Sequence, residues 1–244
     1  MITALFRPLA TAMFFPILGT FVVSFMSCHV VPSCEVMVTE QVSGLRHCHA
    51  DNQWRKHFNA LIYDACVNIS KGNKSQAETL VRDAISCARG RADGIAELGQ
   101  ADGHLACILD SKKRYSEAET YYLDSLKLIS DLPDQWQYRA SHHCNYAHNL
   151  AAQGRYEEAR DQMLLGLPVL QKYSCPTIDR TTGHLSELAD IYVHLHNLTE
   201  AETVAGEALQ SAKKYHSEHH KCCREIPEAE KHLATIQALS GRRN

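Results

Sequence analysis

Two columns of alanine run through this chain in step. Ala65, Ala106, Ala147 and Ala189 form one, and Ala77, Ala118, Ala159 and Ala201 form the other. Successive members of each column lie 41, 41 and 42 residues apart, and the two columns stay twelve residues apart in every copy. A small residue on each of two facing helices lets their axes approach to about 8 Å. Each copy is therefore expected to be a helix, a tight turn and a second helix. Gly72 and Gly154 stand where the first helix must stop, and Lys113 and His196 occupy that place in the other copies. Apolar residues follow at helical spacing in the second helices: Leu80, Val81 and Ala84; Tyr121, Tyr122 and Ser125; Met163 and Gly166; Val204, Ala205 and Ala208.

The segments between copies carry turn and cap chemistry, as in Asp131-Leu132-Pro133-Asp134 and Ser174-Cys175-Pro176-Thr177. The resulting expectation is helices over 52–71, 74–88, 94–112, 115–130, 134–153, 156–172, 177–195 and 199–214. A ninth, over about 225–240, carries Leu233, Ala234, Ile236 and Leu239 and would cover the last copy. No segment reads as a strand. Gly at 12 and Pro at 7 suit helices better than many short strands.

The frame resembles the tetratricopeptide repeat (TPR): a small residue in the first helix, an aromatic or apolar residue opening the second, and an alanine shortly after it. The resemblance covers about residues 52–215. The copies exceed the usual length of about 34 residues and are similar to the longer repeats of kinesin light chains. The first copy departs most, with Asp64, Asn68 and Lys74 where apolar or aromatic residues are expected. The resemblance implies an all-α fold: a right-handed α-solenoid of four helix-turn-helix repeats with a C-terminal capping helix, preceded by an N-terminal hydrophobic helix. The chain then divides into 1–31, a signal peptide or membrane anchor; 32–51, a tether; 52–240, the solenoid; and 241–244, a tail.

The N-terminal division rests on Leu9 to Val31, a run with no Asp, Glu, Lys or Arg. A bilayer core needs about 20 such residues in a helix. Arg7 precedes the run, whereas Glu35 and Glu40 follow it, which places the body outside the cytoplasm. Three fates are open: an uncleaved anchor, a cleaved signal peptide, or a bacterial lipoprotein signal. In the last case Phe25-Met26-Ser27-Cys28 is a degenerate lipobox and Cys28 the lipidated residue. The expected localisation is accordingly membrane-associated or secreted, with an extracytoplasmic body.

Stacked repeats curve, and their first helices line the inner face. The residue after each first-column alanine should face it: Cys66, Cys107, His148 and Asp190. Ile62, Gly103, Cys144 and Ser186 lie one turn earlier, and Asp110 one turn after Cys107. Cys66, Cys107, Asp110, Cys144, His148 and Asp190 are thus the expected partner-binding groove. Glu119, Glu202 and Lys112 are expected on the outer face. The partner is a protein or peptide segment. The formal net charge of −3 gives no basic domain for nucleic acid.

Ten cysteines and fifteen histidines raise a second possibility, a metal- or redox-responsive protein using the groove thiols and the segment His216–Cys223. Ligands on separate helices about 10 Å apart do not suit zinc, whose bonds are near 2.0–2.3 Å, so no metal or cofactor is expected. His47-Cys48-His49 and His216–Cys223 read as polar connections. Asn68, Asn73 and Asn197 open Asn-x-Ser/Thr sequons, which matter only in a secretory setting. No nucleophile elbow, P-loop or dinucleotide glycine motif occurs, and Ser211-Ala-Lys-Lys214 lacks its companion motifs, so no enzyme is expected. The reading is a membrane-anchored or exported adaptor or assembly scaffold.

Overall fold

The computed structural model describes residues 53–172, 181–219 and 225–241. The uncharged segment, Cys28, the tether, His47-Cys48-His49 and the end of the His216–Cys223 segment lie outside the described residues. Those described form helices α1 (Gln53–Ser70), α2 (Lys74–Ala88), α3 (Ile95–Ser111), α4 (Tyr115–Ile129), α5 (Trp136–Ala152), α6 (Tyr156–Lys172), α7 (Thr181–His194), α8 (Leu198–His219) and α9 (Glu225–Gly241). Short 3-10 turns, Ala92–Gly94 and Pro133–Gln135, lead into α3 and α5. No strand occurs among the described residues, and none of their helices is long and apolar enough to cross a membrane. The expected boundaries hold to within a few residues. The exception is α8, which runs to His219, so that His216 lies on a helix rather than in a connection.

Each pair α1/α2, α3/α4, α5/α6 and α7/α8 packs as a hairpin, consecutive hairpins stack, and α9 lies against α8. The eight alanines of the two columns explain the pairing. All are at most 1 % exposed, each closing a helix–helix contact sized for a methyl group. Between them lie Phe58, Val81, Leu105, Ile108, Leu109, Tyr122, Leu150, Met163 and Ile191 as one continuous core.

Every first helix ends the same way. Gly72, Lys113, Gly154 and His196 all have positive φ, at 80°, 61°, 79° and 62°. At each, its own N–H bonds the carbonyl three residues back, and the next N–H bonds the carbonyl five back, as in Lys113 to Asp110 (2.8 Å) and Arg114 to Leu109 (3.0 Å). This is the Schellman end, which satisfies carbonyls that a helix terminus leaves open. Two copies use glycine; Lys113 and His196 carry the strain of a side chain there.

Successive hairpins are tied by a repeated carboxylate clamp. Glu78, the residue after Ala77, accepts from Lys112 (2.7 Å), Arg114 (2.9 Å) and Arg82 (3.0 Å). Glu119, the residue after Ala118, accepts from Arg155 (2.7 Å), Tyr146 (2.8 Å) and Gln153 (3.2 Å). Burial would raise the Glu78 carboxyl, but its three donors outweigh this and hold it at about 2. Glu119 is likewise lowered, its donors Arg155, Tyr146 and Gln153 prevailing over burial. Glu119 and Lys112 are therefore not free outer-face residues: both face the adjacent repeat. Glu202 also meets a neighbour, accepting from Gln237 of α9 at 2.9 Å.

Candidate functional site on the inner face

The first helices α1, α3, α5 and α7 lie side by side, with α3 touching α5 and α5 touching α7. The residues after the first-column alanines become more exposed along the stack. Cys66 is buried, Cys107 and His148 are half-buried, and Asp190 is exposed.

Each of the last three is joined sideways to the next helix of the layer. Asn145 Nδ2 donates to Cys107 Sγ at 3.2 Å. His148 Nδ1 donates to Glu187 Oε1 at 2.5 Å. His232 Nε2 lies 2.8 Å from Asp190 Oδ1. Asn145 and Glu187 stand two residues before Ala147 and Ala189, and His232 stands two before Ala234. The helix α9 thus repeats the register of a first helix and extends the inner layer by one more strut. The same alanine columns that locate the residue after each alanine also locate the residue two before it, which the sequence pattern alone does not single out.

The electrostatics follow from these pairs. Glu187 raises the His148 imidazole to about 9, more than burial lowers it, so His148 is a cation at neutral pH. Burial alone would raise Glu187, but His148 and His184 hold its carboxyl at about 2. The side chains of His148 and Glu187 keep 31 % and 23 % of their surface, and that of Asp190 keeps 64 %. The face therefore presents a half-covered ion pair beside an open carboxylate.

Three expected groove residues lie beneath the surface. Asp110 is buried, accepting from Asn149 Nδ2 at 2.6 Å and Tyr122 O–H at 2.9 Å. Burial lifts its carboxyl to about 6 against those two bonds. Cys144 is fully buried, packed where a Cβ on Gly166 would fall 2.7 Å from its Sγ. Burial also pushes the Cys144 thiol well above its usual range. Cys66 belongs to the core between α1 and its neighbours. The two small thiols fill helix contacts as alanine does elsewhere, and burial removes Cys66, Asp110 and Cys144 from a binding surface.

Gly103, expected one turn along the groove, is a slot instead. The His142 ring lies over it, and a Cβ at Gly103 would come 2.1 Å from Cε1. Ser125 Oγ bonds both Gly99 O (2.5 Å) and His142 Nδ1 (2.7 Å). A carbonyl only accepts, so the serine proton goes to Gly99 and His142 Nδ1–H donates to Ser125. Burial, with lesser contributions from His104 and His143, holds His142 at about 3, hence neutral.

Cys66, Cys87, Cys107 and Cys144 form no disulfide with one another. Among the described residues no three His, Cys, Asp or Glu side chains converge as metal ligands.

No family model matches the sequence, and no curated protein matches it. Solved structures do match. BtubC (BKLC) from P. vanneervenii is 16 % identical, with a TM-score of 0.56 over 88 % of this chain and 92 % of that one. TPR-like repeats of a putative kinesin light chain from Podosopora anserina are 15 % identical, with a TM-score of 0.56 over 80 % of this chain and all of that one. The signal-transduction ATPase of Pyrococcus horikoshii with a tetratricopeptide repeat sensor is 19 % identical, with a TM-score of 0.61 over 76 % of this chain and 27 % of that one. At these identities the likeness assigns the fold, an all-α stack of TPR-like repeats.

Proposed function

We propose that this chain is a membrane-tethered or exported binding module that holds a segment of a partner protein along the inner face of α1, α3, α5 and α7. The observation that carries the reading is the bracing of that face. Cys107, His148 and Asp190 are each fixed by the next helix of the layer. A surface already ordered when free loses less side-chain entropy on binding. The repeats of the Pyrococcus horikoshii protein are named as a sensor. The uncharged run from Leu9 to Val31 supports the tether and the extracytoplasmic body. Of the six groove residues expected from the sequence, Cys107, His148 and Asp190 keep a place in this surface. The open carboxylate of Asp190 favours a cationic side chain opposite it.

The full-length protein should resist carbonate extraction from membranes, and a crosslinked pull-down from that fraction supplies the partner. Asp190→Lys should then weaken the purified pair at least about tenfold, a hot-spot effect, while Glu157→Lys on the exposed side of α6 leaves affinity unchanged and circular dichroism confirms both folds. Loss of binding in the Glu157 variant alone would refute the inner face as the contact.

A further inference from the structure

We propose that the protein is N-glycosylated at Asn73 and Asn197 and not at Asn68. All three open a sequon: Asn68-Ile-Ser70, Asn73-Lys-Ser75 and Asn197-Leu-Thr199. Their places in the repeat separate them.

Asn73 and Asn197 occupy one register, four residues before a second-column alanine and immediately after the positive-φ residue of the turn. In the two middle repeats that register holds Arg114 and Arg155, which reach back to Glu78 and Glu119 in the inter-repeat clamp. A glycan there would sever the clamp. The outer repeats lack it. Among the described residues no hairpin precedes α1 for a side chain at this register to reach. Ahead of Asn197 the clamp position is held by Arg160, which pairs with its own neighbour Asp161 at 2.7 Å. Asn73 and Asn197 are consequently both exposed. Asn73 caps no helix N–H through its side chain, and its one side-chain bond, to Asn68 Oδ1, is long at 3.3 Å. The adjoining Gly72 has nothing within 4 Å of where a Cβ would sit, so the turn opens to solvent.

Asn68 differs. It is half-buried in the last turns of α1, and its Nδ2 donates to Asp64 O at 2.9 Å. A sugar on that nitrogen would lie against the helix itself.

In the modification, the asparagine side-chain nitrogen bonds to the anomeric carbon of a lipid-diphosphate-linked oligosaccharide. The bond from that carbon to the diphosphate oxygen breaks, the amide gives up one proton, and the lipid diphosphate leaves. No redox change occurs. The glycans would stand on the turn edge of the first and fourth repeats, away from His148 and Asp190 on the inner face.

The inference rests on the extracytoplasmic reading of the body, so the test reports both. The full chain is translated with endoplasmic-reticulum microsomes, and protease protection is measured beside gel mobility before and after an amidase that removes N-glycans. Deglycosylation in isotopically heavy water converts each occupied asparagine to a labelled aspartate, read by mass spectrometry. The expected result is a protected chain with label at Asn73 and Asn197, one mobility step lost in each of Asn73→Gln and Asn197→Gln, and none lost in Asn68→Gln. A protected chain without label at either site, or labelled at Asn68 in their place, overturns the proposal alone. A chain left open to protease overturns both the proposal and the export reading.

Discussion

The slot at Gly103 gives the sharpest quantitative expectation. In an exposed helix, Gly→Ala stabilises by about 1 kcal/mol. Here the new methyl would lie 2.1, 2.2 and 2.7 Å from Cε1, Nε2 and Nδ1 of His142. The ring cannot simply turn aside, because Ser125 holds Nδ1 at 2.7 Å inside the core. Overpacking costs roughly 1–3 kcal/mol, and a buried ring nitrogen torn from its partner adds about 1–3 kcal/mol. After the helix-propensity gain, Gly103→Ala should destabilise the protein by about 1–5 kcal/mol. His142→Ala empties the space above Gly103, so in that background the same substitution should be neutral or stabilising by up to about 1 kcal/mol. Urea unfolding of the four proteins of this double-mutant cycle gives the coupling directly. If Gly103→Ala costs the same in both backgrounds, His142 does not occupy the slot and the packing of α3 against α5 is misassigned.

Lys113→Gly should raise stability by roughly 0.5–1 kcal/mol by relieving a left-handed side chain, while Gly154→Ala at the equivalent turn should lower it by about 1–2 kcal/mol, both read by thermal denaturation. Glu119→Ala, which removes the acceptor shared by Arg155, Tyr146 and Gln153, should cost about 1–3 kcal/mol in chemical unfolding, and Glu202→Ala distinctly less. The His148 contribution, with a folded value of about 9 above its ordinary 6.5, should be complete below about pH 6.5 and lost as pH rises towards 9. His148→Asn should flatten that alkaline limb in a pH series of urea midpoints, and an unchanged limb would count against the ion pair with Glu187. Ala118→Trp and Ala159→Trp should each cost a few kcal/mol at fully closed helix contacts. The exposed Gln76→Trp is the fitting control, since Lys112 is engaged by Glu78.

The fold was legible because it rests on residues whose role is steric. Eight alanines in two registers locate the helix contacts, and Gly72 and Gly154 mark turns that Lys113 and His196 then occupy with the same φ. The inner face was legible only in part. Register says which way a residue points but not how far the next helix covers it, and so Cys66, Asp110 and Cys144 pass into the core. Several of the cross-helix pairs join residues 34–42 apart, such as Gln153 with Glu119, His148 with Glu187 and Asp190 with His232. Such partners become visible only once the stacking offset is known. His142 over Gly103 had no period to reveal it, because a buried neutral histidine in a first helix looks no different in sequence from an exposed one.

Whether the inner face receives the partner can be read by site-specific photocrosslinking in native membranes. A photoreactive residue at position 190, on the inner layer beside His232, is compared with one at position 164, an exposed leucine on α6. A partner adduct is expected from position 190 and none from position 164. An adduct from position 164 with none from position 190 would contradict it.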